Sequence, residues 1–272
     1  MTGAPPQPLV LDGQRFAAIE VGLNEHILTV SLNRPGAKNA LNQAMINELI
    51  YAFDYAKQER GVRVVVLAAA GDVFCAGGDL RAMSEAASGE PVSTFPHMGE
   101  SDDMVLRLHH LDKPVIAKIQ GPVLAGALLM VCNATHAIAA DRAFFSAPEI
   151  LRGLWPFQVM AGLFQVMPRR AALDFIMRGY RMSAPEAAKL GLINEMVPAA
   201  ELDARVATLA AELAGLAPGT MHMGLAAYRA QSAMPFDEAL PFLKRQFFEC
   251  LASDDAKEGI AAFFEKRTPQ WK

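Results

Sequence analysis

The sequence predicts an α/β fold of repeated ββα or βα units with parallel strands, extended at its C-terminal end by a run of helices. Three observations predict it. Residues 62–67, 114–119 and 137–140 are short, continuous apolar runs, the pattern of parallel strands buried on both faces. Residues 39–60 carry Leu41, Met45, Leu49, Ala52, Phe53 and Ala56 at helical spacing. After Ala199 the chain changes character, and residues 202–216, 220–231, 236–251 and 254–264 all read as helices.

Taken in order, residues 16–21 and 26–32 are β-branched-rich runs separated by Gly22-Leu23-Asn24-Glu25, a hairpin signal though not one of the tightest kind. Asn39 or Asn42 can cap the helix that follows. Residues 84–100 collapse into Ser, Gly, Pro and Glu and read as a surface loop. The chain accordingly divides into a flexible N-terminus over residues 1–14, a core domain over 15–197 and a C-terminal helical region over 198–272. A helical tail of this apolar kind packs against a neighbouring subunit or closes its own domain.

Composition narrows the function classes. With 52% hydrophobic and 20% charged residues, the 272-residue chain has the makeup of a globular protein with a large core. A net charge of −4 and the absence of a dense Lys/Arg run leave a nucleic-acid or anionic-membrane surface without support. Cys75, Cys132 and Cys250 lie far apart, which suits a reducing compartment and offers no metal framework. No signal-peptide pattern opens the chain. The longest apolar candidate, residues 115–132, is broken by Lys118, Gln120, Gly121 and Pro122, so no membrane span is expected and the protein reads as cytoplasmic.

Three features carry chemistry. Ala76, Gly77 and Gly78, just after a buried strand, let a ligand approach the backbone closely, and Asp79 can cap a helix opening there. Exposed N–H groups at such a turn suit an anion or a developing oxyanion, although a glycine pair after a strand is more often a plain tight turn. Gly126 follows Ala125 where a second helix should begin, so its N–H lies at the positive end; close helix packing through small residues is the competing reading. Glu149 stands before Ile150 and Leu151, and apolar surroundings raise a carboxyl pKa toward the range a proton shuttle needs. A lone Glu at a helix start also serves simply to stabilise the dipole.

Together these features resemble a known family. Leu32-Asn33-Arg34-Pro35-Gly36-Ala37-Lys38-Asn39-Ala40-Leu41 is similar to the signature near the start of crotonase-superfamily (enoyl-CoA hydratase/isomerase) proteins. Phe74-Cys75-Ala76-Gly77-Gly78-Asp79-Leu80 resembles that family's first oxyanion-hole loop, and Gly121 with Leu129 and Phe145 with Ile150 bound its central segment. Arg181-Met182-Ser183-Ala184, Gly191-Leu192-Ile193-Asn194 and the terminal Phe264-Glu265-Lys266-Arg267 continue the likeness, in order, over residues 15–268. The resemblance implies a crotonase-like ββα superhelix whose C-terminal helices form trimers, often paired into hexamers. It implies an acyl-CoA thioester substrate, with coenzyme A belonging to the substrate rather than serving as a cofactor, and no metal. The thioester oxygen would be held by the N–H groups of Ala76 and Gly126. The adenine and pantetheine portions would lie near Ala37, Lys38 and the turn through Ala76, Gly77, Gly78, Asp79 and Leu80. Glu149 would be an acid–base.

Two positions depart from that pattern. Hydratases of the family use two glutamates, and the first falls here on Leu129, which cannot transfer a proton. Trp155-Pro156-Phe157 replaces the usual glycine-rich stretch after Glu149, so that Trp155 either shapes a pocket for a large or branched acyl group or fills core. Glu100, Asp102, Asp103, His97, His109 and His110 are near enough in sequence to be considered as stand-ins, with solvated surface charge the better reading. Hydration of a 2-enoyl-CoA, a branched or glutaconyl-type one among the candidates, ranks first because it is the family's commonest activity. Double-bond isomerisation by a single glutamate is the alternative; decarboxylation and a non-catalytic acyl-CoA-binding oligomer come behind.

Overall fold

The computed structural model describes residues 9–79 and 93–271. Leu80 and residues 84–92 of the expected surface loop lie outside the described residues.

The chain begins with β1 (Ile19–Asn24) and β2 (Ile27–Leu32), an antiparallel hairpin whose register pairs Asn24 with Ile27. The turn is tighter than the composition suggests: Glu25 and His26 form a two-residue loop, both with positive φ (45° and 69°). Such a turn ordinarily takes Asn-Gly. Here tertiary contacts hold it, because the His26 carbonyl accepts the Arg63 and Val64 N–H groups and His26 Nδ1 lies 2.9 Å from the Gly61 carbonyl.

Helix α1 (Gln43–Gln58) starts at Asn42, whose side chain accepts the Met45 N–H at 3.0 Å. Its Glu48 is fully buried and accepts the N–H groups of Ala17, Ala18 and Ile19, fixing the chain as it enters β1. The segment expected to be a free N-terminus is tied to the same helix from its first described residues, since the Tyr51 hydroxyl donates to the Val10 carbonyl at 2.7 Å and Leu9 and Leu11 pack on the core.

Next come β3 (Val64–Ala69), α2 (Ser101–His109), β4 (Val115–Ile119), β5 (Val123–Leu124), α3 (Leu128–Asn133), β6 (His136–Ala140) and β7 (Phe144–Ser146). They are followed by α4 (Phe157–Val166), α5 (Arg169–Arg178), β8 (Met182–Ser183), α6 (Ala184–Lys189) and β9 (Glu195–Val197). The main sheet runs β1-β2-β3-β4-β6-β9, parallel from β2 onward, and β5-β7-β8 form a small second sheet. Both faces of the central strands are covered. Leu49, Ile50 and Phe53 of α1 belong to the large core, each such buried side chain contributing roughly 1.5–3 kcal/mol.

The other face of the sheet packs on α7 (Leu202–Ala214) through Val64, Val66, Ile116, Ile138, Leu202, Val206 and Ala210. By packing, therefore, α7 goes with the core, and the separate helical layer starts after it rather than at residue 198. That layer is α8 (Pro218–Gln231), α9 (Phe236–Leu251) and α10 (Asp254–Glu265). No helix among the described residues is long and apolar enough to cross a membrane.

Candidate active site

Two loops leave the C-terminal ends of neighbouring parallel strands and meet. The first follows β3. Two of its amides are spent on distant carbonyls, the Ala76 N–H on Lys38 at 3.1 Å and the Asp79 N–H on Leu41 at 3.0 Å, while the Gly77 N–H faces the Cys75 sulfur. The Gly78 N–H has no acceptor among the described residues, and Gly78, unlike the buried Gly77, is exposed. Gly77 supplies the positive φ of 87° that the turn requires.

Buried polar side chains hold this loop. Asn39 is fully buried in the left-handed region (φ 53°); its Oδ1 accepts the Arg34 N–H, and its Nδ2 donates to the carbonyls of Ala70 and Val73, both at 2.8 Å. Cys75 donates its thiol to the Asn39 carbonyl at 3.0 Å. Asp79 is buried against Arg34 at 3.1 Å, and Arg34 also donates to the Ala40 carbonyl.

The second loop follows β4. Gly121 passes so close to the first loop that a Cβ there would lie 1.9 Å from the Asp72 carbonyl oxygen. The Phe74 and Cys75 N–H groups donate to Pro122, and Leu124 donates back to Cys75 at 3.0 Å. Ala125 then adopts φ 52°, a left-handed conformation uncommon for a residue with a Cβ, and opens a 3₁₀ turn that runs into α3. Gly126 is the second residue of that turn, ahead of any intrahelical acceptor, and its N–H has no partner among the described residues. The loops touch here: a Cβ on Gly77 would stand 2.8 Å from Ala125 Cβ and 3.3 Å from the Gly126 nitrogen.

Strand β7 pairs in parallel with β5, Leu124 opposite Ser146, so the segments leaving both strands depart on the same side. One carries Gly126; the other is a 3₁₀ helix, Pro148–Arg152, that carries Glu149. Glu149 is half-buried, and its Oε2 is buried without a hydrogen-bond partner among the described residues. Burial raises its pKa above the ordinary 4.5, with its own backbone N–H and the nearby Arg152 charge pulling the other way.

Leu129 is buried, and a Cβ on Gly162 of α4 would lie 3.3 Å from its Cδ2 and 2.7 Å from Cys132 Cβ. The side chain thus faces the close crossing of α3 and α4. Trp155 is partly buried, its indole N–H donating to the Met160 sulfur at 3.2 Å, which fixes the ring against α4.

Several expectations need correcting. Ala76 cannot supply a hole donor while its N–H is spent on Lys38; Gly78 has the available group, a distinction set by a partner distant in sequence. The Asp79 carboxylate is a buried anchor for the loop through Arg34, not a side chain presented to a ligand. Ala37 and Lys38 form an exposed turn against the first loop, as expected for a neighbouring surface, while Leu80 lies outside the described residues. Of the acids near α2, Glu100 and Asp103 form its capping box and Asp103 also faces Arg107, so those two are engaged locally. Asn39 and Cys75 were missed as contributors: Asn39 was read as a possible helix cap, a place that Asn42 takes, and nothing in the sequence marks Cys75.

Comparison with known proteins identifies related chains. The family model described as enoyl-CoA hydratase/isomerase matches residues 22–272. Enoyl-CoA hydratase EchA19 of Mycobacterium tuberculosis is 32% identical over 248 residues, covering 91% of this chain and 93% of that protein. Carnitinyl-CoA dehydratase of Escherichia coli is 34% identical over 255 residues, covering 92% and 96%. Among solved structures, an enoyl-CoA hydratase from Mycobacterium smegmatis superposes with a TM-score of 0.85 at 30% identity, covering 93% of this chain and 98% of that one.

Proposed function

Because the chain belongs to the enoyl-CoA hydratase/isomerase family, the crotonase superfamily, we propose that it moves a proton at the α-carbon of an acyl-CoA thioester with Glu149 as its one acid–base. The thioester oxygen sits between the N–H groups of Gly78 and Gly126. The observation that supports this best is the meeting of two loops that each leave one amide without an acceptor. Charge develops on the thioester oxygen as the α-proton leaves, and each donor in such a hole is worth about 2.7–4 kcal/mol. The half-buried Glu149, with a raised pKa and an unpartnered oxygen, is suited to take that proton and return it.

Within that chemistry, isomerisation between 3-enoyl- and 2-enoyl-CoA fits the residues best. Glu149 removes the α-proton, the electron pair moves into a dienolate held by the hole, and the same proton returns at the γ-carbon. No second carboxylate is required. Leu129 stands where hydratases place the acid that activates water, and of the acids beside α2 Glu100 and Asp103 are held in its cap. Hydration of a 2-enoyl-CoA is the second reading, favoured by relatives whose names denote hydration or dehydration. Ala37, Lys38 and the Gly77-Gly78 turn are the surface on which the coenzyme A portion would lie, with Trp155 and Leu129 on the acyl side.

A panel of 2-enoyl- and 3-enoyl-CoAs incubated in deuterated water and read by mass distinguishes the two. Isomerisation gives a product of substrate mass, raised by deuterium only where the proton held on Glu149 exchanges with solvent before it returns; hydration adds a water. Binding without either product would support a non-catalytic acyl-CoA-binding role, and loss of carbon dioxide from a malonyl-type thioester would support decarboxylation.

We also propose self-association as a trimer or hexamer through the outer helices. Phe236, Phe247, Phe263 and Phe264 are 75%, 60%, 78% and 77% exposed, an apolar surface rare on a monomer. Light scattering that returns a monomer at micromolar concentration would overturn this.

A further inference from the structure

We infer that Cys75 and Asn39 form a buried clamp that selects Gly78, rather than its neighbours, as the hydrogen-bond donor facing the thioester. The inference rests on the reading of the two loops as an oxyanion hole.

Three successive amides, Ala76, Gly77 and Gly78, follow Cys75 along the turn, and a carbonyl oxygen arriving there could meet any of them. The first is committed to Lys38. The second belongs to a buried residue and faces the Cys75 sulfur, whereas Gly78 is exposed. That sulfur is itself fixed, because its S–H donates to the Asn39 carbonyl at 3.0 Å inside a site where Cys75 and Asn39 are both fully buried. Asn39 in turn cannot shift without breaking bonds to Arg34, Ala70 and Val73, which tie the turn at residues 34–41 to the ends of the first loop.

The thiol therefore ties the turn at residues 34–41 to its own loop, donating to the Asn39 carbonyl while the Gly77 N–H faces its sulfur. Burial pushes its pKa up to about 12, so it stays protonated and keeps the donor half of that arrangement. Such a thiol is no nucleophile. Its position explains why a titratable group sits against the site without a share in the chemistry.

Cys75 and Asn39 are positioning residues, and the result they control is the direction of the Gly78 N–H. Replacing Cys75 with Ala frees the Gly77 N–H and leaves the Asn39 carbonyl without its donor. The turn then keeps its backbone bonds, Ala76 to Lys38, Leu41 to the Gly77 carbonyl and Asp79 to Leu41, but loses its side-chain tie to the Asn39 carbonyl. Misaiming a catalytic group by about 1 Å costs on the order of a hundredfold, and removing one hole donor roughly a hundred- to a thousandfold. Cys75→Ala should therefore lower kcat about tenfold to a hundredfold with KM changed less than about threefold. Cys75→Ser, whose hydroxyl can both donate and accept, should recover most of that loss. Asn39→Asp, which turns two donors into acceptors facing the Ala70 and Val73 carbonyls, should lower kcat in the same way.

The direct test is infrared difference spectroscopy of butanoyl-CoA, isotope-labelled at its thioester carbonyl, bound at saturation to the wild type and to each variant. Hydrogen bonds from the hole shift the carbonyl stretch to lower frequency. The wild type and Cys75→Ser should show a large shift; Cys75→Ala and Asn39→Asp should each show a clearly smaller one. A purely structural role would lower the melting temperature and leave the shift intact in the folded fraction. An unchanged shift in Cys75→Ala at full occupancy overturns the clamp and leaves the hole standing. Absence of any shift in the wild type overturns the hole, and the clamp with it. Should Cys75→Ala fail to fold, Asn39→Asp and Cys75→Ser decide the matter by the same comparison.

Discussion

The two loops of the site expose one amide each, but they are held by different means. The first is held by side chains: Asn39, Cys75 and the Arg34–Asp79 pair reach it from the turn before α1. The second is held by backbone shape, through Gly121 against Asp72, the left-handed Ala125, and Gly162 admitting α4 against Leu129 and Cys132. A side-chain scaffold fails when a polar group is deleted, since its buried partner is left unsatisfied. A backbone scaffold fails when volume is added. The site is therefore vulnerable to opposite kinds of substitution on its two sides.

Gly121→Ala should be the most damaging change on the backbone side. Its new methyl would meet a main-chain oxygen that cannot move aside, at a cost at or beyond the upper end of the usual 1–3 kcal/mol for overpacking. Thermal unfolding should show a large loss of melting temperature or no folded protein. On the side-chain side, Arg34→Met removes the guanidinium against which Asp79 is buried, for which up to roughly 3–5 kcal/mol is expected. Denaturant titration at neutral pH measures it, and Arg34→Met combined with Asp79→Leu should recover much of the loss. Recovery of nothing by the double variant would break the assignment of that pair.

Leu129→Glu sharpens the comparison differently, since it restores the second acid within the backbone-held half. It should introduce or increase hydration of a simple 2-enoyl-CoA, at some cost in stability from a charge placed against α4. Absence of any hydrated product would show that more than this residue separates the chain from two-acid hydration. The smallest effect is expected from Ala125→Gly. Relief of the left-handed strain should stabilise by up to about 1 kcal/mol, offset by the entropy of a new glycine, with kcat changed little. A large loss of kcat would mean that the Ala125 side chain, packed on Gly77, is itself part of the site.

Much of this was legible in the sequence. Strands β3, β4 and β6 announce themselves as apolar runs because parallel strands are buried on both faces, and α9 and α10 were found to within a residue because their apolar spacing is regular. The places of Gly126 at a helical start and of Glu149 in an apolar segment were recognisable by their neighbours. What could not be read was which amide of residues 76–79 remains free, because that is decided by Lys38, Asn39 and Leu41, far away along the chain. The Glu25–His26 turn and the place of α7 were hidden for the same reason: contacts with Gly61 and with the sheet set them, and no local pattern encodes a partner that folding brings in.

The central claim is that Glu149 alone exchanges the α-proton while the two loops hold the enolate, and exchange into a saturated acyl-CoA in deuterated water isolates that step. The wild type should exchange, with the acidic limb of its pH profile centred above 4.5 because burial disfavours the carboxylate. Glu149→Gln should lose far more than tenfold, about 1.4 kcal/mol, while binding the thioester normally. The same raised pKa means that the neutral carboxyl is favoured on folding, so its stabilising share is complete below the unfolded pKa and lost as pH rises through the folded one. Glu149→Gln should consequently melt slightly higher than the wild type at neutral pH, with the gap closing in acid. Exchange retained at more than a tenth of the wild-type rate in Glu149→Gln would contradict the account.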